Sequence, residues 1–119
     1  MISYELAKEL KEAGFPRMWE LKTGDMLVDR EGTHVSVRNV SGKELYAIGE
    51  YPWFRIPTLS ELITACGEYF GRLEAPWDGC QYWVAVWHKG KGNRFYTKGN
   101  TPEEAVTQLW LAIKEKGFS

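Results

Sequence analysis

The chain predicts an α+β fold: a small antiparallel β-sheet of hairpins, packed by N-terminal, central and C-terminal helices. Three observations carry that expectation. Apolar residues recur at helical spacing at both ends of the chain and near residue 60, each time behind a residue type that caps helices. Between these stretches, short apolar runs alternate with Gly-, Asp- and Ser-containing turns, the punctuation of hairpins. The order of signals is helix, several strands, helix, three strands, helix, which groups strands together instead of alternating them singly with helices.

The best-marked element is the last helix, Asn100 to Gly117. Thr101 suits the N-cap, Pro102 suits N1 because its missing donor costs nothing there, and Glu104 at N3 completes a capping box. Ala105, Val106, Leu109, Trp110 and Ile113 form one apolar stripe, expected to cover the Gln81–His88 and Arg94–Thr97 strands. Lys114 and Lys116 suit the negative end of the helix dipole, and Gly117 suits a left-handed C′ position.

At the other end, Ser3 caps a first helix with Tyr4, Leu6, Ala7 and Leu10 on its apolar side; Gly14 ends it and Phe15 folds back. A detachable partner-binding helix is the sharper alternative to a core helix here. Short strands are then expected at Met18–Leu21, Met26–Val28, Thr33–Val40 and Glu44–Ile48, separated by Gly-containing turns. Tyr51-Pro52-Trp53-Phe54-Arg55-Ile56-Pro57 is a non-helical connector, because proline biases its predecessor toward extended backbone. Its aromatics are either core cover or a contact patch.

Thr58 and Glu61 form a second capping box, opening a helix that runs to about Cys66, with Leu59, Leu62, Ile63 and Cys66 on its buried side and Gly67 as its stop. Strands follow at Phe70–Leu73, Gln81–His88 and Arg94–Thr97. The middle one carries apolar groups on both faces, Tyr82/Val84/Val86 and Trp83/Ala85/Trp87. It is therefore either covered on both sides or leaves one aromatic face for a partner.

Composition sets limits on function. A chain of 119 residues suits one domain, 1–119, with a soft division expected near 50–57. Hydrophobic residues at 44% and charged residues at 26% indicate a folded chain, and a net charge of −1 argues against a bulk electrostatic binder of nucleic acid or acidic membrane. The first fourteen residues carry charges throughout and do not read as a signal peptide, and no stretch approaches the ~20 apolar residues of a membrane span. Two free cysteines fit a reducing cytoplasm. Six tryptophans are the unusual number, and they imply a core or interface built on large flat side chains.

The catalytic inventory is thin. Cys66 and His88 are the one nucleophile–base pairing that can be sketched, and Cys66 reads as a small buried hydrophobe at a helix end. Cys66, Cys80 and His88 lack the closely spaced ligand pairs of structural zinc. Gly90-Lys91-Gly92 lacks the strand–loop–helix setting of a phosphate loop. The expectation is no catalytic residue, no metal and no cofactor.

One local signal remains. His88, Lys89, Lys91, Arg94 and Lys98 form a basic run with no acidic residue from His88 to Thr101, flanked by Trp83, Trp87, Phe95 and Tyr96. Cations that track phosphates beside rings that stack bases make a single-strand binding surface. The plainer readings are a solvated hairpin tip and a surface for an acidic protein. The candidate binding surface is thus Trp83, Trp87, Lys89, Lys91, Arg94 and Tyr96, with Tyr51, Trp53 and Phe54 of the connector.

Three stretches also carry a resemblance. Ile56-Pro57-Thr58-Leu59-Ser60-Glu61-Leu62-Ile63-Thr64-Ala65-Cys66-Gly67, Asn100-Thr101-Pro102-Glu103-Glu104-Ala105-Val106 with Leu109-Trp110-Leu111-Ala112-Ile113, and Ser3 through Pro16 resemble small uncharacterised proteins of bacteriophages and prophages. The resemblance implies a phage-encoded protein acting in the host bacterial cytoplasm and supplies no activity, cofactor or site residue. The expected function is that of a non-enzymatic accessory protein that binds a host protein, such as a defence component, or a second copy of itself. The alternative is a module for single-stranded nucleic acid or nucleotide phosphate on hairpin 87–98.

Overall fold

A computed structural model describes residues 2–18, 25–29, 31, 34–36, 54–87 and 95–115. The chain falls into two compact units, Ser3–Pro57 and Thr58–Ser119 with Met1–Ile2.

In the first unit, helix α1 spans Tyr4–Glu12, and the Ser3 hydroxyl accepts a hydrogen bond from the Leu6 amide at 3.3 Å. Its C-terminus closes as a Schellman motif: Phe15 N–H donates to the Leu10 carbonyl, Gly14 N–H donates to that of Lys11, and Gly14 takes the left-handed backbone at φ 85°. Leu6, Ala7, Leu10 and the returning Phe15 are buried.

Strands β1 (Met26–Val28), β2 (His34–Ser36) and β3 (Phe54–Ile56) form an antiparallel sheet in the order β2-β1-β3. Arg55 of β3 is buried at 1% exposure. Its Nε donates to the Arg17 carbonyl at 3.0 Å and its Nη2 to the Pro16 carbonyl at 3.3 Å. Arg17 itself holds φ 62°, unusual for a residue with a side chain, so the buried guanidinium braces a strained turn.

In the second unit, helix α2 (Leu59–Cys66) opens with a complete capping box. The Glu61 amide donates to Thr58 Oγ1 at 3.2 Å, and the Thr58 amide donates back to Glu61 Oε1 at 3.3 Å. Gly67 stops it at φ 60°. Strands β4 (Phe70–Glu74), β5 (Trp83–Trp87) and β6 (Tyr96–Gly99) make a second antiparallel sheet, β4-β5-β6. Helix α3 (Pro102–Glu115) starts with the Glu104 amide donating to Thr101 Oγ1 at 3.1 Å.

All five stripe residues of α3 (Ala105, Val106, Leu109, Trp110 and Ile113) are buried, and the helix packs on β5, β6 and α2. Packing on two sides widens the buried arc, so Thr107, off the stripe, is fully buried too.

The approach of α3 to β6 is very close. A Cβ on Gly99 would lie 2.5 Å from the Ala105 nitrogen and 2.8 Å from the Glu104 carbonyl carbon. Thr97, two residues back on the same strand, donates its hydroxyl to the Ala105 carbonyl at 2.7 Å. Strand side chains alternate between faces. Thr97 and Gly99 therefore set the helix face of β6, and Tyr96 and Lys98 belong to the opposite face.

The α+β class stands, with two three-stranded sheets among the described residues in place of one. Met18 lies in a turn that follows the left-handed Arg17, and the rest of the strand expected at Met18–Leu21 lies outside the described residues. The connector contributes a strand, Phe54–Ile56, because β1 offers it a free edge. The last strand lies two residues later than its apolar pattern suggested, set by the register Val84↔Lys98. Residues 19–24, 37–53 and 116–119, with the strand expected at Glu44–Ile48, lie outside the described residues.

Two outcomes follow for stability, both read by chemical denaturation. Gly99→Ala is expected to cost at least about 1–3 kcal/mol, because the new methyl meets backbone that cannot rotate away. Thr107→Val is expected to be neutral or stabilising by about 1 kcal/mol, because the buried Thr107 hydroxyl has no hydrogen-bond partner among the described residues.

Candidate functional site

With odd-numbered β6 residues turned to α3, the register places one row of side chains on the other face. Glu74 pairs with Val84, which pairs with Lys98; Arg72 pairs with Val86, which pairs with Tyr96. These six residues line an open groove of about 500 Å³, joined by Trp77, Gly79, Cys80 and Phe95. Val84 is buried and Val86 half-buried, so the floor is apolar and the flanks polar.

A tight turn supplies the rim. The Trp77 and Cys80 amides donate to each other's carbonyls, both at 2.8 Å. A Cβ on Gly79 would come within 2.9 Å of Trp77 Nε1, so the indole lies against the glycine. The Cys80 thiol donates to the Tyr82 carbonyl at 3.7 Å.

Trp77, Tyr82 and Tyr96 are 54%, 46% and 58% exposed, the large apolar side chains most open to water among the described residues. Lys98 Nζ sits 5.9 Å from the Tyr82 ring centroid and 5.7 Å from that of Tyr96, within cation–π range of both. Arg72 Nε donates to Glu74 Oε1 at 2.6 Å, so those two charges offset each other. At one end Phe95 stands edge-on to Trp87 at 4.2 Å, with Tyr69 beyond at 6.2 Å.

Of the residues named as the candidate binding surface, Tyr96 alone among the described ones lines the groove. Two expectations are corrected. Trp87, at 8% exposure, is packed between Phe95 and Tyr69. Phe54, also at 8%, is a β3 residue stacked with Tyr4 at 5.2 Å and capped by the Lys11 ammonium at 5.3 Å. Neither offers an accessible ring. Trp83 is half-buried and alternates with Val84, away from the groove residues. Tyr51, Trp53, Lys89, Lys91 and Arg94 lie outside the described residues.

Lys98 belongs to the basic run that the sequence offers as a surface, whereas Trp77, Tyr82, Arg72 and Glu74 were not singled out by sequence. Two signals could have pointed to the groove: the Tyr96/Lys98 pair two apart on one strand, and the Asp78-Gly79 turn that presents Trp77.

Cys66 is 2% exposed at the end of α2, and burial pushes its thiol up from 9.0 to about 12. A thiol held protonated through the physiological range is a poor nucleophile. Among the described residues no His, Cys, Asp and Glu side chains form a group of three or more that could hold a metal ion, and no helix is long and apolar enough to cross a membrane. Comparison with protein-family models, with curated proteins and with solved structures found no match to the chain.

Thiol chemistry separates the two cysteines. At pH 8 a disulfide reagent is expected to modify Cys80 rapidly and Cys66 only after denaturant is added. The same burial sets a pH dependence. The unfolded chain releases the Cys66 proton near 9.0 and the folded chain only near 12, so stability falls as pH rises between these values. In Cys66→Ala that part of the alkaline slope is expected to disappear from urea titrations.

Proposed function

We propose that the chain is a non-enzymatic accessory protein that binds another protein through the groove on the β4-β5-β6 sheet. The observation that carries this reading is the pair of exposed rings, Trp77 and Tyr96, lining an apolar floor of Val84 and Val86, with the exposed Tyr82 ring 5.9 Å from the groove's Lys98. Exposed large aromatics are costly to leave in water and are enriched where proteins bind one another, tryptophan and tyrosine above all at energetic hot spots. The non-enzymatic part rests on the thin catalytic set of the sequence and on the protonated, buried Cys66. The setting, a phage- or prophage-encoded protein working in the host cytoplasm, rests on the resemblance carried by residues 3–16, 56–67 and 100–113. A host factor, with a defence component as one version, and a second copy of the chain are the partners this setting suggests.

A second reading is favoured by one observation. Lys98 between the rings of Tyr82 and Tyr96 pairs a cation with two stacking surfaces, the arrangement single-stranded nucleic acid uses.

The experiment compares wild type with Trp77→Ala/Tyr96→Ala, both checked for folding by circular dichroism. Each is used to capture protein from bacterial lysate with identification by mass spectrometry, and each is sized by light scattering. A partner held by wild type and lost at least about tenfold by the double variant is the expected outcome, since each truncated hot-spot ring costs roughly 1–2 kcal/mol or more. A strict monomer with no groove-dependent capture contradicts it. Salt-sensitive binding of oligo-dT, lost in Lys98→Ala, would favour the second reading.

A further inference from the structure

The charges of the groove point to the chemistry of what it binds; this step rests on the protein-binding reading above. Three charged side chains line it. Two of them, Arg72 and Glu74, are joined at 2.6 Å and cancel. Lys98 is exposed and makes no ion pair among the described residues; its contacts are the faces of Tyr82 and Tyr96. In the sequence, no Asp or Glu occurs from His88 to Thr101. The groove therefore holds one unbalanced cation beside exposed rings and an apolar floor. An ammonium already flanked by two rings keeps its place on binding, so an incoming carboxylate gains the ion pair at little cost in side-chain ordering. A cationic segment would instead meet like charge at the centre of the surface.

We propose that the occupant is an acidic segment of a partner protein, which sets a carboxylate on Lys98 and an apolar side chain against Trp77 and Tyr96. Val84 and Val86 supply the dry floor on which that apolar side chain rests, and the Arg72–Glu74 pair forms a neutral flank. Specificity then comes from charge at one position and ring contact at the others, the usual division between a polar orienting group and an apolar anchor.

The test is selection of a random twelve-residue peptide library displayed on filamentous phage, against the immobilised 119-residue chain as wild type, Lys98→Glu and Trp77→Ala/Tyr96→Ala. Wild type is expected to enrich peptides carrying Asp or Glu next to an apolar residue. Their binding is expected to fall at least about tenfold in Lys98→Glu and in the double variant, and Lys98→Glu is expected to enrich Lys- or Arg-bearing peptides in their place. Groove-dependent peptides without an excess of carboxylates, or an unchanged preference in Lys98→Glu, would overturn the acidic occupant and leave the protein-binding reading standing. Enrichment that ignores the double variant would overturn both. A competition arm with oligo-dT closes the remaining case: displacement of the selected peptides by oligo-dT at low salt would make the occupant nucleic acid and overturn the proposal.

Discussion

Gly99 has no side chain, and the first turn of helix α3 occupies the space where one would be. That contact fixes much of the second unit. It brings the Ala105 carbonyl within 2.7 Å of the Thr97 hydroxyl, which locks the same strand face to the same helix turn. Because strand residues alternate, settling where Thr97 and Gly99 point also settles Tyr96 and Lys98. The pairing of β6 with β5, and of β5 with β4, then carries the choice across the sheet to Val84, Val86, Arg72 and Glu74. A one-residue slip would turn all of these toward the helix and put Thr97 and Ala85 in water.

The aromatic surplus divides along the same line. Trp110 is in the α3 stripe, and Trp87 is buried between Phe95 and Tyr69, so both serve packing. Trp77 and Tyr96 lie open at the groove and Tyr82 lies open beside its Lys98. The turn that presents Trp77 is itself specific: paired amides at Trp77 and Cys80 close it, and the indole lies against Gly79. That much local definition is the reason we propose this surface as the functional one. The helix stripe, by contrast, is scaffold.

Much of the fold was legible because its signals are local. Thr58 with Glu61, and Thr101 with Glu104, are capping pairs three residues apart, and each helix begins where its cap says. Gly14 and Gly67 end helices by taking a backbone that few other residues adopt. The two faces of β5 could be read from period-two alternation. What could not be read depends on contacts between distant residues. Phe54–Ile56 becomes a strand because β1, far back in the chain, pairs with it, and its Arg55 is buried because it reaches the carbonyls of Pro16 and Arg17. The end of β6 at Gly99 follows from where α3 docks, whereas local pattern treats that glycine as a breaker. The site suffered most: basic and aromatic clustering along the chain pointed to Trp87 and the connector, while the groove is assembled across three strands and a turn. Of the described residues that the sequence placed in its basic and aromatic cluster, Phe95, Tyr96 and Lys98 belong to it, and Trp83 and Trp87 do not.

Helix α3 packs on β5 and β6 from one side of their sheet, and an aromatic-rimmed groove lies on the other. Hydroxyl-radical footprinting of the native protein, read residue by residue by mass spectrometry, tests this arrangement most directly, because the radical oxidises aromatic side chains in proportion to their contact with water. Fast oxidation of Trp77, Tyr82 and Tyr96 and strong protection of Trp87 and Trp110 are expected. Trp87 or Trp110 oxidised as fast as Trp77, or Tyr96 as protected as Trp110, would contradict it.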